Sequence, residues 1–224
     1  MDQATSYLSS VINKILRTFF YLLYHRFAWS YDFIANIVSI GMWNKWVLSI
    51  LPEIDGSKVL ELGHGPGHLQ LSMAKRRIQT FGLDESKEMG ILAGQRLCLD
   101  GFASNLVNAV SQNLPFETCT FHQVVATFPT EFIIEYQTLE EVIRILKPGG
   151  SLLVLPVAWI TGDSILQRFA AWLFTITGQS PQWDDKVLDP FHRIGFTTRV
   201  KYKTMESSRL VFIIAEKEIL TNLI

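Results

Sequence analysis

Cysteine is scarce in this chain: Cys98 and Cys119 are the only two. Two widely spaced thiols make neither a disulfide framework nor a zinc site. Cys98 falls on a helical pattern and Cys119 in a turn before a strand. Neither position asks for an oxidising compartment, so a cytoplasmic location is the expectation. Excess charge of one sign is missing too. The 20 Lys and Arg stand against 21 Asp and Glu, a formal net charge of −1, which argues against a nucleic-acid or acidic-polymer partner. The run Lys75-Arg76-Arg77 reads as a helix end meeting its own C-terminal dipole. Nor is there an unbroken apolar run of the roughly 20 residues that span a bilayer. Residues 15–40 are rich in Phe, Tyr, Leu and Ile but are interrupted by Arg17, His25, Arg26 and Asp32. The start carries Asp2 and no basic segment, which argues against a cleaved signal peptide. This stretch reads as amphipathic helices covering part of the domain, with one face a candidate for peripheral membrane contact. Internal repeats and low-complexity tracts are absent as well.

What is present is alternation. Residues 6–24 and 30–50 carry helical patterns, and Asp55-Gly56 marks the turn into the main domain. Lys58–Leu62 is a short buried strand, and a helix opens at Gly67 and runs to about Arg76. Ile78–Leu83 is a second strand. Ser86 then caps a helix that runs to about Leu99. Asn105–Val110 and Phe121–Thr127 read as further strands. A helix over Glu131–Leu146 follows, closed by the stop and turn Lys147-Pro148-Gly149-Gly150. Ser151–Pro156 is a fifth, central strand. Residues 158–182, with Trp159, Phe169, Trp172 and Phe174, interrupt the order. A short helix over Lys186–Ile194 precedes two last strands, Thr197–Lys203 and Arg209–Ala215, joined as a hairpin. Strands alternating with helices imply a parallel sheet. The expected division is a helical cap over 1–50 and one α/β domain over 51–224, with 158–183 inserted as a lid.

The most informative segment is Val59-Leu60-Glu61-Leu62-Gly63-His64-Gly65-Pro66-Gly67-His68. A strand runs into a glycine turn, and the turn into a helix. Glycine tolerates positive φ and lets a ligand lie on bare backbone, while the helix start offers free N–H groups to a carboxylate. A dinucleotide site wants G-x-G-x-x-G. Here the pattern is G-x-G-x-G, and the position five after Gly63 is His68. Glu61, two residues before the turn, suits a cationic group such as an amino-acid ammonium better than a diphosphate. Asp84, 21 residues beyond Gly63, stands at the next strand tip, where α/β nucleotide binders place a carboxylate on ribose hydroxyls.

With these residues the chain resembles the class I S-adenosylmethionine-dependent methyltransferases, in the methyltransferase type 11 branch that includes quinone-biosynthesis enzymes. The resemblance rests on Glu61–Gly67, on Gly82-Leu83-Asp84, on Asn113-Leu114-Pro115-Phe116 and on Leu146–Gly150. It spans roughly 20–157, most securely 58–155. It implies a Rossmann-like, seven-stranded, mostly parallel sheet flanked by helices, with the last strand antiparallel and a helical N-terminal extension. It also implies S-adenosyl-L-methionine as cofactor. Glu61 and Gly63 would then line its methionine part, Asp84 would hold the ribose, and Asn113 and Leu114 would flank the adenine. Thr127 and Phe128 would face cofactor and substrate, and Tyr31, in Tyr31–Asn36, would cap the pocket. Leu62, His64, Gly65, Gly67 and Glu85 complete the implied cofactor site. Two positions depart from the family pattern: Val110 stands where an adenine-binding acid is usual, with Gln112 a substitute, and the fourth strand begins Phe121-His122 rather than Phe-Asp.

Methyl transfer from a sulfonium is an in-line displacement, so the protein mainly supplies alignment and a dry site. A general base is needed only when the acceptor must lose a proton. His64, His68, His122 and His192 are the candidate bases. His64 and His68 read first as structural or cofactor-shell residues, His122 as a surface residue, and no histidine has metal-ligand spacing, so no metal is expected. Trp159, Phe169, Trp172 and Phe174 read equally as a pocket for an apolar acceptor and as packing. With the greasy N-terminus they point to a small, lipophilic methyl acceptor, a quinone or lipid precursor. Two other readings stay open: a methyltransferase-like module without activity, acting as a binding or membrane-peripheral protein, and a nicotinamide-dependent oxidoreductase, which the glycine spacing and Glu61 disfavour.

Overall fold

The computed structural model describes residues 31–39, 41–161 and 185–218. The expected helix over 6–24, His25, and Phe169, Trp172 and Phe174 lie outside the described residues.

Seven strands form one sheet in the order β3-β2-β1-β4-β5-β7-β6. They are β1 (Lys58–Leu62), β2 (Gln79–Asp84), β3 (Leu106–Asn108), β4 (Phe121–Thr127), β5 (Leu146–Ile160), β6 (Phe196–Met205) and β7 (Ser208–Lys217). All neighbours are parallel except β7, which is antiparallel to both β5 and β6. The expected sheet and its reversed last strand are therefore present. Helices α1 (Tyr31–Val38), α2 (Trp43–Leu48), α3 (His68–Lys75), α4 (Lys87–Leu99), α5 (Tyr136–Ile145) and α6 (Asp189–Ile194) flank it. From β1 the chain steps outward to β2 and β3, then returns to β4 on the other side of β1. The carboxyl ends of β1 and β4 thus meet where the strand order reverses, the place where open α/β sheets bind ligands.

Apolar residues cover both faces of the central strands, as buried parallel strands require. On one face Leu60, Leu62, Val124, Val154 and Ile213 pack beneath Leu139, Val142 and Phe191 of α5 and α6. On the other Val59, Val125, Leu153 and Phe212 pack against Trp46, Ile50, Leu69 and Met73. The indole N–H of Trp46 donates to Ser208 Oγ at 2.9 Å, satisfying a buried polar atom across the molecule. Trp46, Val47 and Ile50, read from sequence with the cap, are therefore part of the main core. No helix among the described residues is long and apolar enough to cross a membrane.

Several boundaries differ from the expectation. The helical pattern over 30–50 breaks into α1 and α2 at Gly41, whose φ of +74° a helix cannot hold. The helix expected from Glu131 is a 3₁₀ turn, Glu131–Ile134, followed by α5. β3 is shorter than expected. Lys147–Gly150 belongs to β5 as a bulge: Phe121 pairs Leu146 and Gln123 pairs Ser151, so β4 advances by two residues while β5 advances by five. Finally, β5 continues through Trp159 to Ile160, paired with β7. Residues 158–160 are therefore strand and not the start of an insertion.

Candidate active site

The bend after β1 is built from three glycines in the left-handed region, Gly63 (φ +67°), Gly65 (φ +51°) and Gly67 (φ +85°). L-residues with side chains rarely adopt that conformation. The three differ in what surrounds them. A Cβ on Gly65 would meet no atom within 4 Å, whereas one on Gly67 would lie 2.7 Å from the Cβ and 2.9 Å from the Cα of Ala93 in α4. Gly67 thus lets α3 and α4 approach, and Gly65 keeps the bend bare. A Cβ on Gly63 would stand 3.7 Å from the Phe132 ring.

Three groups hold the bend. Asp84, last in β2, accepts from Gly65 N–H through Oδ2 at 2.8 Å and from Ser86 N–H through Oδ1 at 2.9 Å. The Arg96 guanidinium of α4 donates to Pro66 O. His64 Nδ1 lies 2.7 Å from Gly65 O, so that nitrogen carries the proton. Burial pulls the His64 imidazole below its ordinary range, against the opposing pull of Asp84. Ser86 caps α4, its hydroxyl accepting from Met89 N–H at 3.2 Å.

Glu61 is 1 % exposed. Its Oε2 accepts from Gln70 Nε2 at 2.8 Å. Among the described residues its second oxygen makes no hydrogen bond. Burial, first, and then the nearby Asp84 carboxylate push Glu61 up to about 8, while the Gln70 hydrogen bond pulls it down. A carboxyl perturbed this far beside a bare backbone bend is a candidate binding or catalytic position.

The adenine-side loop expected at Asn113-Leu114-Pro115-Phe116 is tied to α5. Glu141 Oε2 accepts from Leu114 N–H at 2.7 Å, and Arg144 donates to Leu114 O at 2.9 Å and Phe116 O at 2.7 Å. Arg144 also grips Glu141 through both oxygens, at 2.7 Å each. Its hydrogen bond holds the Glu141 carboxyl below its usual range. Asn113 is exposed at the surface, but the Leu114 side chain is buried in the core, so Leu114 offers this loop main chain only. The same holds for Leu62, whose side chain is core. Gln112, the expected substitute for an acid, donates instead to Glu135 Oε2 at 2.6 Å, and Val110 is 47 % exposed.

Thr127 ends β4. Phe128 follows at φ +48°, an uncommon conformation for an aromatic residue, with its N–H bonded to Leu155 O at 2.7 Å. Its ring stacks on Trp43 at 4.6 Å. Glu85 is exposed beside the buried Asp84. Tyr31 opens α1, and Ala35 of the same helix packs on Met89 of α4. His122 lies at the opposite, amino end of β4, its Nε2 3.1 Å from Lys147 Nζ, away from the bend. His192 is exposed, 2.6 Å from Thr198 Oγ1. The fold thus gathers Glu61, Gly63, His64, Gly65, Gly67 and Asp84 into one place, with His122 and His192 excluded. Sequence reasoning missed Gln70, Arg96 and Phe132. Gln70 alone left a signal, as a polar residue at helical spacing from Met73 on the face that α3 buries.

The model of the ubiE/COQ5 methyltransferase family matches residues 17–182. The chain is 30% identical over 163 residues to a ubiquinone/menaquinone biosynthesis C-methyltransferase of Blochmanniella floridana, covering 69% of this chain and 64% of that relative. It is 32% identical over 139 residues to a demethylmenaquinone methyltransferase of Thermotoga maritima, covering 59% of each. The matched stretch therefore spans about six-tenths of these relatives' length. Among solved structures, Haemonchus contortus phosphoethanolamine N-methyltransferase 2, bound to phosphomonomethylethanolamine and S-adenosylhomocysteine, superposes with a TM-score of 0.59. It is 17% identical, over 80% of this chain and 53% of that one, and shows the fold. The chain belongs to the ubiE/COQ5 methyltransferase family.

Proposed function

We propose that the chain is an S-adenosylmethionine-dependent methyltransferase acting on a small, lipophilic acceptor of the quinone-precursor class. The observation that carries this reading is the pairing of a bare bend at Gly65 with a buried, half-partnered carboxylate at Glu61. That donor set fits a zwitterionic amino-acid tail: Glu61 takes its ammonium, and the start of α3 takes its carboxylate. When bound, S-adenosylmethionine supplies a methyl group already activated for displacement.

The residues of the chain supply position and dryness. Each Asp84 oxygen holds one main-chain N–H and keeps a lone pair for a ribose hydroxyl, with Glu85 alongside. The main chain at Asn113-Leu114, fixed by Glu141 and Arg144, forms the adenine side. Thr127 and Phe128 stand at the tip of β4, across the strand-order reversal from the bend, and Tyr31, first in α1, would cap the pocket. His64, neutral and donating to Gly65 O, serves the bend and not as a base.

Family membership disfavours the nicotinamide reading. The departures at Val110 and His122 are what favour a reading without activity, and His122 lies near the amino end of β4, away from the bend. The test is transfer of labelled methyl from S-adenosylmethionine into a lipophilic extract containing demethylated quinones, beside a panel of small polar acceptors. Label in the lipophilic fraction is expected; label confined to polar acceptors would overturn the acceptor class.

A further inference from the structure

Gln70 has no place in the resemblance, yet it sits at the centre of the site. It is 1 % exposed and projects from α3 over β2. Its Nε2 donates to Glu61 Oε2 at 2.8 Å and to Phe81 O at 3.0 Å, and its Oε1 accepts from Thr80 Oγ1 at 2.5 Å. The Phe81 carbonyl can only accept, so the amide cannot flip without setting oxygen against oxygen. The orientation of Gln70 is thereby locked, and one N–H always points at Glu61. Room for this arrangement comes from Gly82, paired with Glu61 across the strands. A Cβ at Gly82 would stand 3.2 Å from the Gln70 amide carbon and 2.8 Å from the His64 ring.

We propose that Gln70 is the positioning residue of this site: it engages one oxygen of Glu61 and leaves the other to accept from a cationic amino-acid tail. The cation-binding part rests on the function proposed above; the hold on Glu61 does not. The physical cause is a buried amide N–H that stabilises the charged carboxylate against desolvation. The other groups packed around Glu61 oppose or leave this balance unchanged. Asp84 repels a second negative charge, His64 turns its Nδ1 to Gly65 O, and β4 presents Val125 in register beside Glu61.

Two measurements test this on the full chain. The first is a ¹³C titration of the Glu61 carboxyl in ligand-free protein, comparing wild type with Gln70→Met and Thr80→Val. The Glu61 midpoint is expected to move to higher pH in Gln70→Met, and less far in Thr80→Val, where the amide loses its lock. An unchanged midpoint in folded Gln70→Met overturns the proposal, and if that variant fails to fold, an unchanged midpoint in Thr80→Val does so. The second is calorimetry with S-adenosylhomocysteine from pH 6 to 9.5. Affinity of Gln70→Met is expected to fall about tenfold at pH 7 and to recover within about twofold of wild type at pH 9.5. An equal loss at every pH marks a merely structural role and contradicts the proposal. No binding by wild type at any pH refutes the cofactor reading, while the carboxyl titration still decides whether Gln70 governs Glu61.

Discussion

Gly65 and Asp84 are joined by a hydrogen bond of 2.8 Å, main-chain N–H to carboxylate, so the acid ending the second strand holds the turn that follows the first. Its other oxygen holds Ser86 N–H, which places Asp84 between the bend and the cap of α4. Asp84→Asn keeps one acceptor oxygen and turns an N–H toward the second main-chain donor. Urea unfolding is expected to show a loss of about 1–3 kcal/mol. An unchanged midpoint would mean the carboxylate does not hold the bend.

The glycines of the bend separate stability from binding. Gly67→Ala brings a side chain within 2.9 Å of the Ala93 backbone at a φ of +85°. A loss of about 2–4 kcal/mol is expected from strain and overpacking together. Gly65→Asn places a residue tolerant of positive φ where no atom lies within 4 Å of its Cβ. Its thermal midpoint is expected to stay within a few degrees of wild type while S-adenosylhomocysteine binding disappears. The reverse assignment, stable Gly67→Ala and unfolded Gly65→Asn, would contradict this division.

Burial holds Glu61 at about 8 in the folded protein, against an ordinary 4.5. The folded state therefore binds the extra proton between those values, and stability falls as pH rises through that window. Glu61→Gln keeps an oxygen for the Gln70 N–H and removes the charge. The variant is expected to gain a few kcal/mol over wild type near pH 9 and to show no such gain near pH 4. It should also lose cofactor affinity at pH 8 and above, where wild-type Glu61 is charged, with the difference narrowing toward pH 6. Equal stability of the two proteins at pH 9 would show that Glu61 ionises without penalty.

Arg144 acts on the site through the chain it grips. Removing it in Arg144→Leu frees the carbonyls of Leu114 and Phe116 and releases Glu141. Amide exchange in residues 110–116 is expected to accelerate at least tenfold, with the strands β1 and β4 unchanged. Unaltered exchange in that loop would show that its packing, and not Arg144, fixes it.

The sheet was legible because period and punctuation agreed. Lys58–Leu62 and Phe121–Thr127 match β1 and β4, and the pattern Gly63, Gly65, Gly67 located the bend. What stayed hidden depends on contacts between distant residues. The bulge at Lys147–Gly150 looked like an ordinary turn because nothing local says that Leu146 will pair with Phe121. The continuation of β5 through Trp159 needed β7 as its partner. Leu62 and Leu114 entered the expected site through their motifs, whereas their side chains serve the core. Gln70 escaped because its role needs Thr80, Phe81 and the gap left by Gly82, which only the folded sheet brings together.

Calorimetric titration of the wild-type chain with S-adenosylhomocysteine near pH 8, beside Gly65→Asn, tests the central claim most directly. The account predicts one saturable site in the wild type, with a dissociation constant in the micromolar range or tighter, and none in the variant. Wild-type protein that stays folded yet gives no heat at high micromolar ligand, or a variant that binds equally well, would contradict it.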